Sequence, residues 1–164
     1  LEFRRVLFRS YSIEKNNIGY ARKMGSDVIF GNRDLNVLTT TLNGTYTFNN
    51  KTGLSLNMRH YWFRAEYDSF YSLTDKGMLQ PSAATVDDIN TNIFNIDLVY
   101  TWRFAPGSEL RVVWKNAIQE RTNTITPQYF DNLSRTMQAP QNNNFSVKLL
   151  YFIDYIAIKN VLSA

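Results

Sequence analysis

Apolar and polar side chains alternate along two neighbouring segments in the second half of the chain. In the first segment one parity holds Phe94, Ile96, Leu98, Tyr100, Trp102 and Phe104, and the other holds Asn95, Asp97, Val99, Thr101 and Arg103. In the second segment one parity holds Leu110, Val112, Trp114 and Ile118, and the other holds Arg111, Val113, Lys115 and Gln119. A period of two residues is typical of β-strands, because successive side chains point to opposite faces. Ala105-Pro106-Gly107-Ser108 suits a tight turn, so the stretch from Asn92 to Ile118 is predicted to be a β-hairpin.

Three further strands are predicted from the same alternation. One runs from Leu35 to Phe48, and a turn at Asn49-Asn50-Lys51-Thr52-Gly53 leads into a returning strand from Leu54 to Trp62. In the returning strand His60 falls on the apolar parity, as an exception to the pattern. The last predicted strand runs from Phe145 to Ile158.

The connections between the predicted strands differ in length. Residues 11–33 are predicted to be a polar connection that holds only a short strand at 27–30. Residues 67–91 and 120–143 are predicted to be long connections, and the second of these holds a short helical turn around Tyr129 to Met137. A structureless loop of about 20 residues is uncommon in a compact soluble domain, whereas outer-membrane barrels carry long loops on one side.

The length of the strands and the chemistry of their faces predict the fold class. Strands of soluble proteins usually have about 5 or 6 residues, while about 9 to 11 tilted residues are needed to cross a bilayer. In transmembrane barrels aromatic rings collect at the lipid boundaries and polar groups face the lumen. We therefore predict an all-β, antiparallel up-and-down meander of about five to six long strands. It would be the C-terminal portion of a transmembrane β-barrel, and an open sheet on its own.

The two parities give two sets of candidate functional residues. The lumen-facing candidates are Arg59, Asp97, Arg103, Arg111, Lys115, Lys148 and Asp154. The aromatic girdle candidates are Tyr46, Phe48, Trp62, Phe94, Trp102, Phe104 and Trp114. The charges either pair across neighbouring strands as a structural feature or set the selectivity of a channel. Stacking on sugar rings is the alternative role for Tyr61, Trp62, Trp102 and Trp114.

Composition and charge exclude several function classes. The chain has 164 residues, of which 44% are hydrophobic and 15% aromatic. The sequence contains no run of about 18 apolar residues, so no membrane-spanning helix is predicted. The net charge is +4, but the basic residues are scattered among acidic ones, so nucleic acid is not expected as a partner. The absence of cysteine removes disulfides, thiolate catalysis and zinc–thiolate sites.

No chemical site is predicted from the remaining motifs. His60 is the single histidine and has no neighbours at metal-ligand spacing. Asp87 and Asp88 lie in a loop without a calcium-binding motif, and phosphate-binding glycine loops and nucleophile elbows are absent from the sequence. We expect no catalytic, metal or cofactor site in these residues, and the sequence leaves open whether the full-length protein is an enzyme.

Residues 1–10, LEFRRVLFRS, do not continue the Asn- and Thr-rich style of the rest. We interpret them as translated adaptor or cloning sequence, and a native strand end is the alternative. The native domain is then predicted to cover residues 11–164, with a signal peptide upstream of the sequence in hand.

Three segments carry a resemblance to a known family: GTYTFNNKTGLSLNMRHYW, FNIDLVYTWRFAPGSELRVVWKNAI and FSVKLLYFIDY. They resemble the C-terminal end of a large Gram-negative outer-membrane family of unknown function, and the part from Arg103 to Leu110 is the most specific. Members of that family typically carry a carbohydrate-binding, family 9-like module ahead of the barrel. The resemblance implies an outer-membrane location and, as partners, the lipid bilayer, the missing N-terminal strands, the upstream module and carbohydrate.

Three functions are compatible with these observations. The preferred prediction is a fragment of an outer-membrane channel, uptake component or surface anchor. A soluble all-β ligand-binding module is the alternative, in which one parity packs inward and the charged parity faces water. The third is a carbohydrate-active enzyme whose catalytic part is missing from these residues.

Overall fold

The computed structural model describes residues 2–153, which form seven strands and one helix. In chain order the elements are β1 (Glu2–Met24), β2 (Asp27–Asn49), β3 (Thr52–Leu73), β4 (Leu79–Ser82), β5 (Ile89–Ala105), β6 (Ser108–Thr122), α1 (Tyr129–Gln138) and β7 (Gln141–Leu150). Every strand pairing is antiparallel, and the strands lie in the order β1-β2-β3-β5-β6-β7, with β4 paired to β3. The predicted fold class, an all-β up-and-down meander in an open sheet, is confirmed.

The hairpin of β5 and β6 is the predicted one. Ala105 pairs with Ser108 across the turn, and Gly107 has a φ of 71°, a left-handed conformation that glycine adopts without steric cost. At the same end of the sheet a second tight turn joins β2 and β3, where Lys51 N donates to Asn49 Oδ1 at 2.8 Å. We call this end of the strands the turn end, and the opposite end, where residues 123–128 and α1 lie, the loop end.

The N-terminal part of the chain differs from the prediction. Residues 11–33, predicted to be a polar connection, belong to β1 and to the start of β2, which pair over almost their whole lengths. That prediction was wrong because β1 does not alternate cleanly and its pairing is interrupted by two register shifts, between Glu14 and Asn17 and between Tyr20 and Arg22. Residues 2–10 pair with Thr39–Thr47 of β2, and their non-native origin stays a prediction.

The C-terminal elements agree with the prediction in part. The predicted helical turn is α1, a ten-residue helix. The last described strand, β7, begins four residues before the predicted Phe145 and ends at Leu150. Residues 151–153 are not in a strand, and the rest of the predicted strand, 154–158, lies outside the described residues.

Few apolar side chains are buried in this sheet. Trp62, Phe94 and Ile118, exposed by 4%, 3% and 1%, lie on one face close to α1. Farther toward the turn end the same face is uncovered, since Phe145, Val147 and Leu149 of β7 are 64–71% exposed. The core is therefore restricted to the half of the sheet nearest the loop end.

Candidate functional site

The strand register separates the side chains into one apolar and one polar face. Leu56 pairs with Leu98, and Leu98 with Trp114, so one row of the apolar face crosses three strands. The next row along the strands belongs to the polar face, where Asp97 lies between Asn57 and Lys115. The alternation read in single segments is thus kept in register from strand to strand.

The polar face carries two groups of paired charges. Lys115 Nζ lies 3.6 Å from Asp97 Oδ1. Near the turn end Glu109 is shared by two arginines, with Arg103 Nε at 3.4 Å and Arg111 Nη2 at 3.0 Å. These are partly exposed pairs, which contribute little to stability.

The other lumen-facing candidates lie on the same face or outside the described residues. Arg59 and Lys148 are exposed and stand opposite Asn95 and Arg111 in the register. Asp154 lies outside the described residues. The structure brings Arg103, Arg111 and Lys148 together along one cavity, which the sequence did not predict.

The aromatic girdle candidates differ in exposure. Phe48 and Trp102 are 45% and 42% exposed, and they contact Tyr46 and Phe104 at ring-centroid distances of 4.7 and 5.5 Å. Trp114 is half-buried and stacks on Phe145. Trp62 and Phe94 are buried, because they lie in the half of the apolar face that α1 approaches.

A buried network of amides attaches α1 to the apolar face. Asn90 and Asn92 of β5 and Asn132 of α1 are fully buried. Asn132 Nδ2 donates to Asn92 Oδ1 at 2.6 Å, and Asn92 Nδ2 donates back to Asn132 Oδ1 at 3.2 Å. Asn90 Nδ2 also donates to Asn132 Oδ1, at 3.1 Å. Buried polar groups satisfied in this way fix the position of the helix, because any displacement leaves them without partners.

Aromatic side chains surround this network. Trp62 Nε1 donates to Asn90 Oδ1 at 2.8 Å, and the ring of Tyr129 lies 6.0 Å from that of Trp62 and 5.5 Å from that of His60. This cluster was not predicted from the sequence. The available signal was that Asn90 and Asn92 share the parity of Phe94, so that polar residues continue an apolar face.

His60 is fully buried in the same cluster, which explains the exception in the strand pattern. Its Nε2 lies 3.2 Å from Asn92 Oδ1 and its Nδ1 3.2 Å from Tyr129 Oη. Because the amide oxygen only accepts, Nε2 carries the proton, and in the neutral ring Nδ1 accepts from the tyrosine hydroxyl. Burial lowers the pKa of His60, and the hydrogen bond to Asn92 opposes that shift, so the ring is neutral at pH 7.

A large cavity lies on the polar face at the loop end. It has a volume of about 700 Å³ and is lined by Arg22 of β1, Asp87 and Asp88 of the loop before β5, Ile89 of β5 and Arg121 of β6. Ile89 and Arg121 share the parity of the polar face, so the cavity belongs to that face.

Other classes of site are not assembled within residues 2–153. No three or more histidine, cysteine, aspartate or glutamate side chains there are grouped so that they could hold a metal ion. None of the described helices has the length and apolarity to cross a membrane. Asp88, a loop aspartate, instead accepts a hydrogen bond from the backbone N–H of Tyr67 at 2.8 Å.

Comparison with known proteins identifies a family. The model of a family described as a domain of unknown function, DUF5916, matches residues 2–162. No curated protein and no solved structure matches the chain. Since the family model covers nearly all 164 residues, the chain belongs to the DUF5916 family.

Proposed function

We propose that this chain is part of a transmembrane β-barrel in the outer membrane of a Gram-negative bacterium. The apolar face contacts lipid and the polar face lines a lumen. The observation that carries the proposal is the in-register separation of the two faces, with an apolar face that no described residue covers toward the turn end. Such a surface in a soluble monomer would be an aggregation hazard, whereas a bilayer covers it.

The dimensions of the strands fit this placement. Beyond the row of His60 and Phe94, the apolar parity of β5 runs from Ile96 to Phe104, a nine-residue span that matches the roughly 9 to 11 residues of a transmembrane strand. β2 has 23 residues, about twice that requirement. The loop-end halves of the longer strands, with the cluster around His60, then lie outside the bilayer.

The rest of the barrel would pair with the two edge strands of the sheet. β1 and β7 each pair with only one described strand, and single-chain barrels close with about eight strands or more. Further strands of the same protein pair with these edges, and the closed barrel acts as a channel, an uptake component or a surface anchor. A carbohydrate-binding module upstream would place sugar ligands at the cell surface.

The first residues of the chain are an exception on the lipid side. Arg5 pairs with Gly44, in the row of Leu56 and Leu98, and an arginine facing lipid near the bilayer centre costs about 2 to 4 kcal/mol. The interpretation of residues 1–10 as non-native would remove this charge from the lipid face, and other residues would then occupy this part of β1.

Paired substitutions test the assignment of the faces. In the full-length protein Leu98→Arg places a charge in lipid and is expected to destabilise the barrel by about 2 to 4 kcal/mol. Asn57→Arg, one row along on the polar face beside Asp97, is expected to change stability by less than about 1 kcal/mol. Stability is measured by urea denaturation in detergent micelles, and folding by the shift in gel migration between unheated and boiled samples.

The proposal fails if both variants are equally stable, or if the full-length protein purifies as a folded monomer without detergent. The second result would favour a soluble ligand-binding module. Its ligand would then enter the cavity of about 300 Å³ between Phe3, Tyr46, Leu56 and Leu98.

A further inference from the structure

The polar face holds a cationic cavity at the turn end that the pairing of charges does not explain. The cavity has a volume of about 290 Å³. Three cationic side chains, those of Lys51, Arg103 and Arg111, line it together with threonine and serine hydroxyls, and no carboxylate does. Cations and hydroxyls are donors, so the lining is suited to a ligand that supplies acceptors.

The three cations are held by different parts of the fold. Lys51 occupies the turn between β2 and β3, and its carbonyl oxygen accepts a hydrogen bond of 2.7 Å from the backbone N–H of Arg103 in β5. Arg111 stands directly opposite Thr101 in the register of β5 and β6. Backbone pairing therefore sets the positions from which the three cationic side chains extend.

Glu109 pairs with Arg103 and Arg111 and so neutralises only part of this cluster. It lines the neighbouring cavity, of about 320 Å³, which shares Arg103 and Arg111 with the first and adds Lys148. One carboxylate thus faces four cationic side chains over the two cavities. The excess of positive charge lies where the turn end of the proposed barrel opens.

We propose that the turn-end cavity binds the phosphate, sulfate or carboxylate group of a soluble anion that passes through or docks in the barrel. The cavity itself is a feature of the polar face, and the role as a passage rests on the proposed function. An arginine can donate two parallel hydrogen bonds to a carboxylate or a phosphate group, and the lysine supplies a further point charge.

Binding of inorganic phosphate to the full-length protein in nonionic detergent micelles tests the inference. Isothermal titration calorimetry is expected to give saturable binding to the wild type. Loss of one charge at about 4 Å weakens a contact in water by roughly fivefold, so Lys51→Gln is expected to weaken binding at least about fivefold. The double variant Lys51→Gln/Arg111→Gln is expected to weaken it at least about twentyfold. Lys76→Gln, which removes the same charge from the exposed loop between β3 and β4, is the matched control and leaves binding unchanged.

The inference is overturned if folded wild-type protein shows no saturable phosphate binding, or if the wild type and the double variant bind phosphate equally. Competition by phosphatidylglycerol added to the micelles would also overturn it, because the occupant would then be a lipid head group. The difference in gel migration between unheated and boiled samples shows whether each variant folds. If the protein binds phosphate but fails the Leu98→Arg test, the anion site is supported and the barrel is not. If it passes that test but does not bind phosphate, the barrel is supported and the anion site is not.

Discussion

Asn132 is the residue on which the attachment of α1 most depends. Asn132→Ala removes its three buried hydrogen bonds, one from Asn90 and two with Asn92. A buried hydrogen bond contributes about 1 kcal/mol net, so the loss should amount to about 3 kcal/mol. Because α1 is a surface element joined to one face of the sheet, this energy should appear as local opening of the helix and much less as global unfolding.

Hydrogen exchange measured by mass spectrometry on peptides covering 125–140 checks this expectation. A change of about 3 kcal/mol corresponds to roughly a hundredfold increase in the exchange rate of amides that exchange by local opening. Ser134→Ala, an exposed change in the same helix, is the control and should leave exchange unchanged or slightly slower, since alanine favours helix. Unchanged exchange in Asn132→Ala would refute the reasoning, because α1 would then be held by contacts other than the amide network.

Two further predictions concern buried positions outside the amide pair. Gly31→Ala should lower stability by about 1 to 3 kcal/mol, because a Cβ would overlap the ring of Tyr67, while Gly44→Ala, whose Cβ would meet nothing closer than 4.0 Å, should not; urea midpoints that shift equally would contradict this. His60 has a folded pKa below its ordinary value of 6.5, so its contribution to stability is complete above pH 6.5 and is lost as pH falls toward the folded pKa. Exchange of α1 should therefore accelerate between pH 7.5 and about 5.5 after correction for intrinsic rates, and His60→Gln should remove that dependence; a variant that keeps it would assign the pH effect to another group.

Sequence alternation predicted the central hairpin but not β1, because side chains alternate only where the two faces of a strand meet different environments. In β5 the alternation of Ile96, Asp97 and Leu98 reports two different environments, and a Pro-Gly pair marks the turn. In β1 both parities carry charged and apolar residues, and most side chains are exposed, so pairing with β2 holds the strand through its backbone. Backbone pairing leaves no periodic trace in the sequence.

The amide cluster could not be predicted because its partners are distant in the chain. Asn92 and Asn132 are 40 residues apart, and only the fold of the 123–128 segment brings α1 back over β5. The parity of Asn92 marked it as an exception on an apolar face. An exception of this kind predicts that something covers the residue, but does not identify what covers it.

On the proposed placement the apolar face of β5 meets lipid toward the turn end and water nearer the loop end. α1 lies at the boundary between these two media. Toward the turn end Leu98 and Trp102 need no protein cover, because lipid is the apolar medium there. Nearer the loop end Phe94 would face water, and there α1 and the ring of His60 cover the sheet. A helix that began closer to the turn end would displace lipid for no gain, and one farther away would leave apolar surface wet. The position of α1 along the strands therefore marks where the bilayer should end, and a spin label at Leu98 but not at the exposed Ser134 of α1 should be accessible to a lipid-soluble quencher.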